Sequence, residues 1–173
     1  MPPNRVGFGK FFLGKAVVDK TDLAILENLQ EDASRSLGEL AEAVHLSPTP
    51  CWRRVQRLRE SGVITGQVTL CDPQQLDLRV TAFVFIKAAT HSEDWMLRFV
   101  EGARELPEIV EIHRMAGEID YLLKVYLPDI AAYDRFYKKL IRVADLQDIS
   151  ASFSMETVKF TTALPVEHLR QAK

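Results

Sequence analysis

The chain has 173 residues, enough for two small domains, and its apolar fraction of 47% is that of an ordinary globular protein. A formal net charge of −2 excludes a chain-wide basic field, so any surface for nucleic acid must be local. Two cysteines exclude a disulfide framework and fit a reducing cytoplasm, and no apolar run is long enough to span a membrane.

Residues 1–16 carry Arg5, Lys10 and Lys15 and no acid. Lys10 and Lys15 interrupt the apolar Phe8, Phe11, Phe12 and Leu13, and no small-residue cleavage site follows, which argues against a signal peptide. Two readings stand: a flexible arm that adds phosphate or minor-groove contacts, or a start placed too far upstream.

Asp19 is placed to cap a first helix, whose apolar stripe is Ile25, Leu26 and Leu29. Its acids (Asp19, Asp22, Glu27, Glu31, Asp32) are expected on a face turned away from a polyanion. Ser36-Leu-Gly-Glu39 has the form of a capping box. Leu37, Leu40, Ala41 and Val44 then repeat at helical spacing for about two turns. His45 and Leu46 make a tight link to a third helix.

That third helix, Ser47 to Gly62, is the most telling stretch. Ser47 stands at the N-cap, Pro48 at the first helical position, and Gly62 where a left-handed residue ends a helix. Cys51, Val55 and Leu58 form the buried stripe, and Thr49, Arg53, Gln56 and Arg57 fall on the other side. Residues 48–61 hold four arginines (Arg53, Arg54, Arg57, Arg59) against the one acid Glu60. Two short helices joined by a tight turn, the second basic, form a helix-turn-helix, and such a helix fits the DNA major groove. The β-branched run Val63 to Leu70 around Gly66 reads as a short hairpin, or wing.

From Arg79 the pattern changes. Val80–Ala88 is a strand, with Ala82, Val84 and Ile86 on one face and Phe83 and Phe85 on the other. Ser92 caps a helix whose stripe is Trp95, Phe99, Ala103 and Leu106, ended by Pro107. Ile109–Met115 and Tyr121–Leu127 are strands joined by Ala116-Gly-Glu-Ile. Pro128 and Asp129 open a helix with the stripe Ile130, Tyr133, Phe136 or Tyr137, Leu140 and Ile141. A last strand runs from about Asp148 to Thr162. The order β-α-β-β-α-β is the ferredoxin-like split arrangement, with both helices on one face of an antiparallel sheet. Large residues on the other face predict that two copies stack there as a dimer.

These segments resemble the Lrp/AsnC, or feast/famine, regulators over about Val18 to Val166. The resemblance is carried by Asp19-Lys-Thr-Asp-Leu-Ala-Ile-Leu, by Leu46-Ser-Pro-Thr-Pro-Cys-Trp-Arg-Arg-Val-Gln-Arg-Leu, and by Gly62-Val-Ile-Thr-Gly. In the second half it is carried by Met115-Ala-Gly-Glu-Ile-Asp-Tyr-Leu-Leu-Lys-Val and Val158-Lys-Phe-Thr-Thr-Ala-Leu-Pro. It implies an α+β protein: an N-terminal winged helix-turn-helix joined by a β-hairpin linker to a C-terminal ferredoxin-like βαββαβ αβ-sandwich. It further implies homodimers that assemble into octamers, an amino-acid effector, and a bacterial or archaeal cytoplasmic, nucleoid-associated setting. Residues 1–16, the missing glycine in Gln75-Leu-Asp-Leu78 and the missing Pro-Gly in Asp145-Leu-Gln-Asp depart from the family pattern. The expected domains are an arm (1–16), a winged helix-turn-helix with linker (17–78) and an effector-binding and oligomerisation domain (79–173).

For double-stranded DNA the expected contacts are Ser47, Thr49, Trp52, Arg53, Gln56 and Arg57. Arginine forks onto guanine, glutamine onto adenine, and Ser47 and Thr49 suit phosphate at the helix start. Trp52 keeps two readings, groove contact or packing on the wing or first helix, and Arg54 and Arg59 read as surface ion pairs. For the effector the expected residues are Met115, Ala116, Gly117, Asp120 and Tyr121, with Asp120 accepting an ammonium and the backbone near Gly117 donating to a carboxylate. Ser152 and Ser154 are the next candidates, with a plain solvent-facing strand as their other reading. The four histidines fit no metal or triad pattern, and no phosphate loop or nucleophile motif is present. No metal, cofactor, catalytic residue or membrane contact is therefore expected. A stand-alone amino-acid sensor or protein-docking scaffold is the alternative reading.

Overall fold

A computed structural model describes residues 17–171, so the basic arm lies outside the described residues. The chain divides into two compact units, one running to Val68 and rejoined by the chain from Phe160, the other Thr69–Lys159.

The first unit holds α1 (Lys20–Glu31), α2 (Leu37–Ala43) and α3 (Pro48–Glu60). Asp19 and Asp22 form a reciprocal capping box at α1, and Ser36 and Glu39 form one at α2. His45 makes the α2–α3 link with a φ of 54°, and Leu46 N–H donates to Ala41 O at 2.8 Å. Gly62 ends α3 at a φ of 75°, a left-handed conformation that costs glycine nothing. Ile25, Leu40, Ala41, Val44, Cys51, Val55 and Leu58 are buried together and close the core beneath α3.

The wing and linker differ from expectation. Described residues 63–72 carry no ladder and no helix, and Val68 and Leu70 are exposed. A lone two-stranded ribbon is marginal in water, so β-branched residues around Gly66 do not by themselves make a hairpin. A 3-10 turn, Gln74–Leu76, lies near the start of the second unit, and Asp77 takes a φ of 57°. Aspartate tolerates this left-handed geometry, which supplies the bend in the absence of the expected glycine.

The second unit is β1 (Val80–Ala88), α4 (Glu93–Arg104), β2 (Ile109–Arg114), β3 (Tyr121–Leu127), α5 (Ile130–Leu140) and β4 (Leu146–Phe153). The sheet order is β2-β3-β1-β4, all antiparallel. Ala82, Val84, Ile86 and Ala88 of β1 and Tyr121, Leu123, Val125 and Leu127 of β3 are buried with Phe99, Ala103, Phe136 and Leu140 of the helices. Phe99 stacks on Trp95 at 5.1 Å and meets Tyr121 at 4.8 Å. Trp95 Nε1–H donates to Asp145 O at 2.6 Å, tying α4 to the start of β4.

Two expectations are corrected here. β4 ends at Phe153 rather than near Thr162, because Ser154 N–H makes the last bond to β1, at Thr81 O, 2.9 Å. In α5, Phe136 rather than Tyr137 is buried, while Ile130 and Ile141 are exposed. Those two sit at the ends of the helical stretch. Beyond Phe153 the chain runs without ladder to α6 (His168–Gln171) in the first unit. There Leu164 N–H donates to Gln30 Oε1 at 2.7 Å, and Arg170 binds both carboxylate oxygens of Glu27.

The other sheet face is partly apolar. Phe85 pairs with Leu122 and Ser150, Phe83 with Lys124 and Ser152, and Thr81 with Tyr126. Charged pairs border them: Lys124–Glu111 and Lys87–Glu118, each at 3.0 Å.

Candidate nucleic-acid interface and effector cavity

α3 is held by its apolar stripe. Cys51, Val55 and Leu58 are at most 7% exposed, and Thr49, Arg53 and Trp52 stand in solvent. Trp52 keeps 51% of its surface, so its ring is open at the edge of the helix. Ser47 occupies the N-cap, yet its hydroxyl makes no capping hydrogen bond. Pro50 is the third helical residue and has no N–H to donate, which leaves the Ser47 hydroxyl and the Thr49 N–H for an external acceptor. Among the described residues Arg53 engages no carboxylate. Gln56 lies one turn further along the same flank and is half-buried.

Arg54 forms ion pairs as expected, but one of its partners is buried, and the same buried acid also ties down Arg57. Arg54 Nη1 donates to Asp19 Oδ2 at 2.6 Å and to Asp22 Oδ1 at 2.8 Å, and Arg57 Nη2 donates to Asp22 Oδ2. Asp22 is wholly buried, so Asp19 and Asp22 do not point away from the basic helix; they bind it. An acid enters a protein interior when cations and N–H donors meet it, and Asp22 also accepts the Asp19 N–H at 3.0 Å. Partial burial works to raise the Asp19 carboxyl, but the hydrogen bonds from Arg54 and the Asp22 N–H outweigh it and hold the group below its ordinary value. The hydrogen bonds of Arg54 to the Asp19 and Asp22 carboxylates hold its guanidinium above its own ordinary value. Among the described residues Arg59 forms no ion pair but donates to the neutral Gln67 Oε1 at 2.9 Å. This Asp22 bridge was missed in the sequence, where Asp22 reads as one of several surface acids; its capping-box spacing after Asp19 was the available signal.

In the second unit, a cavity of about 260 Å³ opens where the end of β1, the start of α4 and the β2–β3 turn meet. Thr90, His91, Ser92, Glu93, Arg114, Asp120 and Tyr121 supply its polar wall, and Met96 and Trp95 part of its apolar wall. Asp120 is fixed from both sides: its N–H donates to Ile86 O at 2.9 Å, and its Oδ2 accepts the Ala88 N–H at 2.8 Å. Its Oδ1 stands 3.5 Å from His91 Nδ1. Burial pushes the Tyr121 hydroxyl up, so it stays a neutral donor at physiological pH.

The sequence candidates separate here. Asp120 and Tyr121 line the cavity, and Arg114, Glu93 and His91 join them without having been singled out. Met115, Ala116 and Gly117 form the exposed turn above it, where Gly117 takes a φ of 139° that favours glycine. Ser152 pairs with Phe83 on the opposite sheet face, three positions along β1 from the Ile86–Tyr121 pair, roughly 10 Å at strand spacing. Ser154 bonds its own chain, its hydroxyl donating to Glu156 O at 3.1 Å. Within one chain neither serine meets the cavity. Among the described residues no cluster of His, Cys, Asp and Glu could hold a metal ion, and no helix is long and apolar enough to cross a membrane.

Comparison with known proteins agrees with this geometry. Residues 18–65 match a family model for winged helix-turn-helix DNA-binding, and residues 81–164 match the Lrp/AsnC ligand binding domain. The chain is 48% identical over 152 residues to the DNA-binding transcriptional activator DecR of Escherichia coli, covering 87% of this chain and 100% of that protein. It is also 48% identical to the glutamate uptake regulatory protein of Zymomonas mobilis, over 86% of this chain and 91% of the relative. Among solved structures, an AsnC family transcriptional regulator from Agrobacterium tumefaciens is 49% identical with a TM-score of 0.85, covering 88% of this chain and 99% of that one. The L-Met complex of a transcriptional regulator from Neisseria meningitidis is 34% identical with a TM-score of 0.84, over 88% and 99%. The chain therefore belongs to the Lrp/AsnC family of DNA-binding transcriptional regulators, its helix-turn-helix followed by the family's ligand-binding domain.

Proposed function

We propose that this regulator reads duplex DNA with the exposed flank of α3 and adjusts that binding to an amino acid held at the Asp120 cavity. The observation that carries the first part is the open row of exposed Thr49 and Arg53, continued by half-buried Gln56, opposite a buried stripe. Arg53 and Gln56 suit base edges, Ser47 and Thr49 suit phosphate, and Arg57 reaches the duplex from the side nearest α1. Trp52, open to solvent, adds a ring at the groove wall.

The cavity supports the second part. Asp120 offers a carboxylate oxygen for an ammonium group, and Arg114 offers a guanidinium for a carboxylate. A volume of about 260 Å³ suits a single amino acid. Relatives bearing the names glutamate uptake regulatory protein and leucine-responsive regulatory protein, and a neighbour solved with L-Met, support an amino-acid effector. Met115, Ala116 and Gly117 close over it from the turn, and Ser152 and Ser154 contribute from a second copy. The working unit is a homodimer stacked through the sheet face bearing Phe83 and Phe85, with assembly to an octamer. It acts in the cytoplasm at the nucleoid, without catalytic activity, metal or cofactor. Residues 17–78 serve DNA and residues 79–173 serve effector and assembly.

Calorimetric titration with each amino acid, against wild type and Asp120→Asn, tests the cavity. The carboxamide keeps an acceptor for the Ala88 N–H, while the charge is lost and the second oxygen becomes an NH2 donor that repels an ammonium. One amino acid is expected to bind wild type and to lose at least tenfold in the variant; equal binding to both would remove Asp120 from the site.

A further inference from the structure

We infer that Asp22 is a positioning residue for DNA recognition: its buried carboxylate orders Arg54 and Arg57 before the duplex arrives. This rests on the reading that the α3 flank meets DNA. Arg57 sits roughly 40° around the helix from Arg53, between the open row and α1. Its side chain is 54% exposed at one end of a bond whose other end, Asp22, is 0% exposed. One guanidinium N–H goes to Asp22, and an arginine has five, so the remaining fork is held in place and still available to phosphate or guanine. Arg54, one turn earlier, closes the carboxylate from the other side and is itself locked by Asp19. Asp22 in turn is fixed by the Asp19 N–H in the capping box. The start of α1 thus sets the direction of two arginines on α3.

Ordering a long side chain on binding costs affinity, and a side chain already held in its binding direction avoids that cost. The benefit falls on the specific complex, which demands one direction. Non-specific phosphate contact tolerates many, so a freed Arg57 contributes to it at least as well. Asp22 therefore raises discrimination rather than raw attraction.

The test uses the full chain, a duplex that wild type selects from a genomic library, and a scrambled duplex of the same length. In Asp22→Asn the ratio of the two affinities is expected to fall about tenfold, with scrambled-duplex binding unchanged or tighter. The salt slope on the scrambled duplex is expected to steepen by about one unit, as one more cation meets phosphate. A merely structural role would lower Tm and shift both affinities together. An unchanged ratio in folded Asp22→Asn overturns the inference. Should Asp22→Asn not fold, NMR of the guanidinium groups in unliganded wild type decides: Arg57 is expected to show slowed rotation and Arg53 not, and equal mobility of the two overturns it. Arg53→Ala keeps the two questions apart. Its loss of discrimination upholds the α3 reading whatever Asp22 does, and a wild type that selects no duplex would remove the reading itself.

Discussion

Arg53 and Arg57 stand one turn apart on α3 and differ in what holds them. Arg53 is solvated, so Arg53→Ala is expected to weaken binding to the selected duplex by about 1–3 kcal/mol while leaving Tm unchanged. Arg57→Ala is expected to weaken binding and also lower Tm, because Asp22 loses a donor inside the protein, about 1–3 kcal/mol for such a loss. Anisotropy titration beside a thermal melt separates the two outcomes; equal Tm for both variants would contradict the buried bridge. Asp19 adds a pH dependence. Its folded-state carboxyl lies below the ordinary value, so its contribution is present above that value and lost as pH falls through the lowered one. Acid melts of wild type and Asp19→Asn are expected to converge only below the ordinary carboxylate range, and parallel curves throughout would contradict it. Helical spacing in the sequence separates the buried stripe from Arg53, Gln56 and Thr49. It does not reveal that Asp22 turns inward, because the partners that make a buried acid tolerable lie 32 and 35 residues away.

At the scale of elements, the stripes that read clearly are those pressed on something flat. Trp95, Phe99 and Ala103 of α4 and the alternating residues of β1 and β3 are all buried as their periods require. Where an element runs past its support, period alone misleads, as at Ile130 and Ile141 and in the run from Val63 to Leu70. Phe99 is the central residue of the second core, meeting both Trp95 and Tyr121. Phe99→Ala is expected to cost about 3–5 kcal/mol, the usual range for truncating a buried phenylalanine. Urea melts followed by Trp95 fluorescence measure it, and a cost under about 1 kcal/mol would mean that the helix layer repacks freely. The cavity was only half legible for a different reason. Its wall joins residues 88–96 to 114–121, and only the fold brings Arg114 and Asp120 to the same opening as His91 and Glu93.

At the scale of the whole molecule, one sheet face is covered by helices and the other is left with Phe83, Phe85, Leu122 and Tyr126 among charged pairs. Phe85→Glu is expected to shift sedimentation equilibrium at micromolar concentration from dimer to monomer, since it sets a charge amid the apolar part of the stacked faces. A dimer that survives it, or a wild type that is monomeric, would contradict the stacking. The proposed pairing would bear on DNA, because dimeric helix-turn-helix readers bind two half-sites. The chain is a family member whose two halves carry separate tasks, and the central claim is that an amino acid in one half alters duplex binding by the other. Footprinting of wild type on genomic DNA, with and without each amino acid, tests this most directly. The account predicts protected sites whose occupancy changes with one or a few amino acids, and loses that change in Asp120→Asn; protection that ignores every amino acid, or no protected site at all, would contradict it.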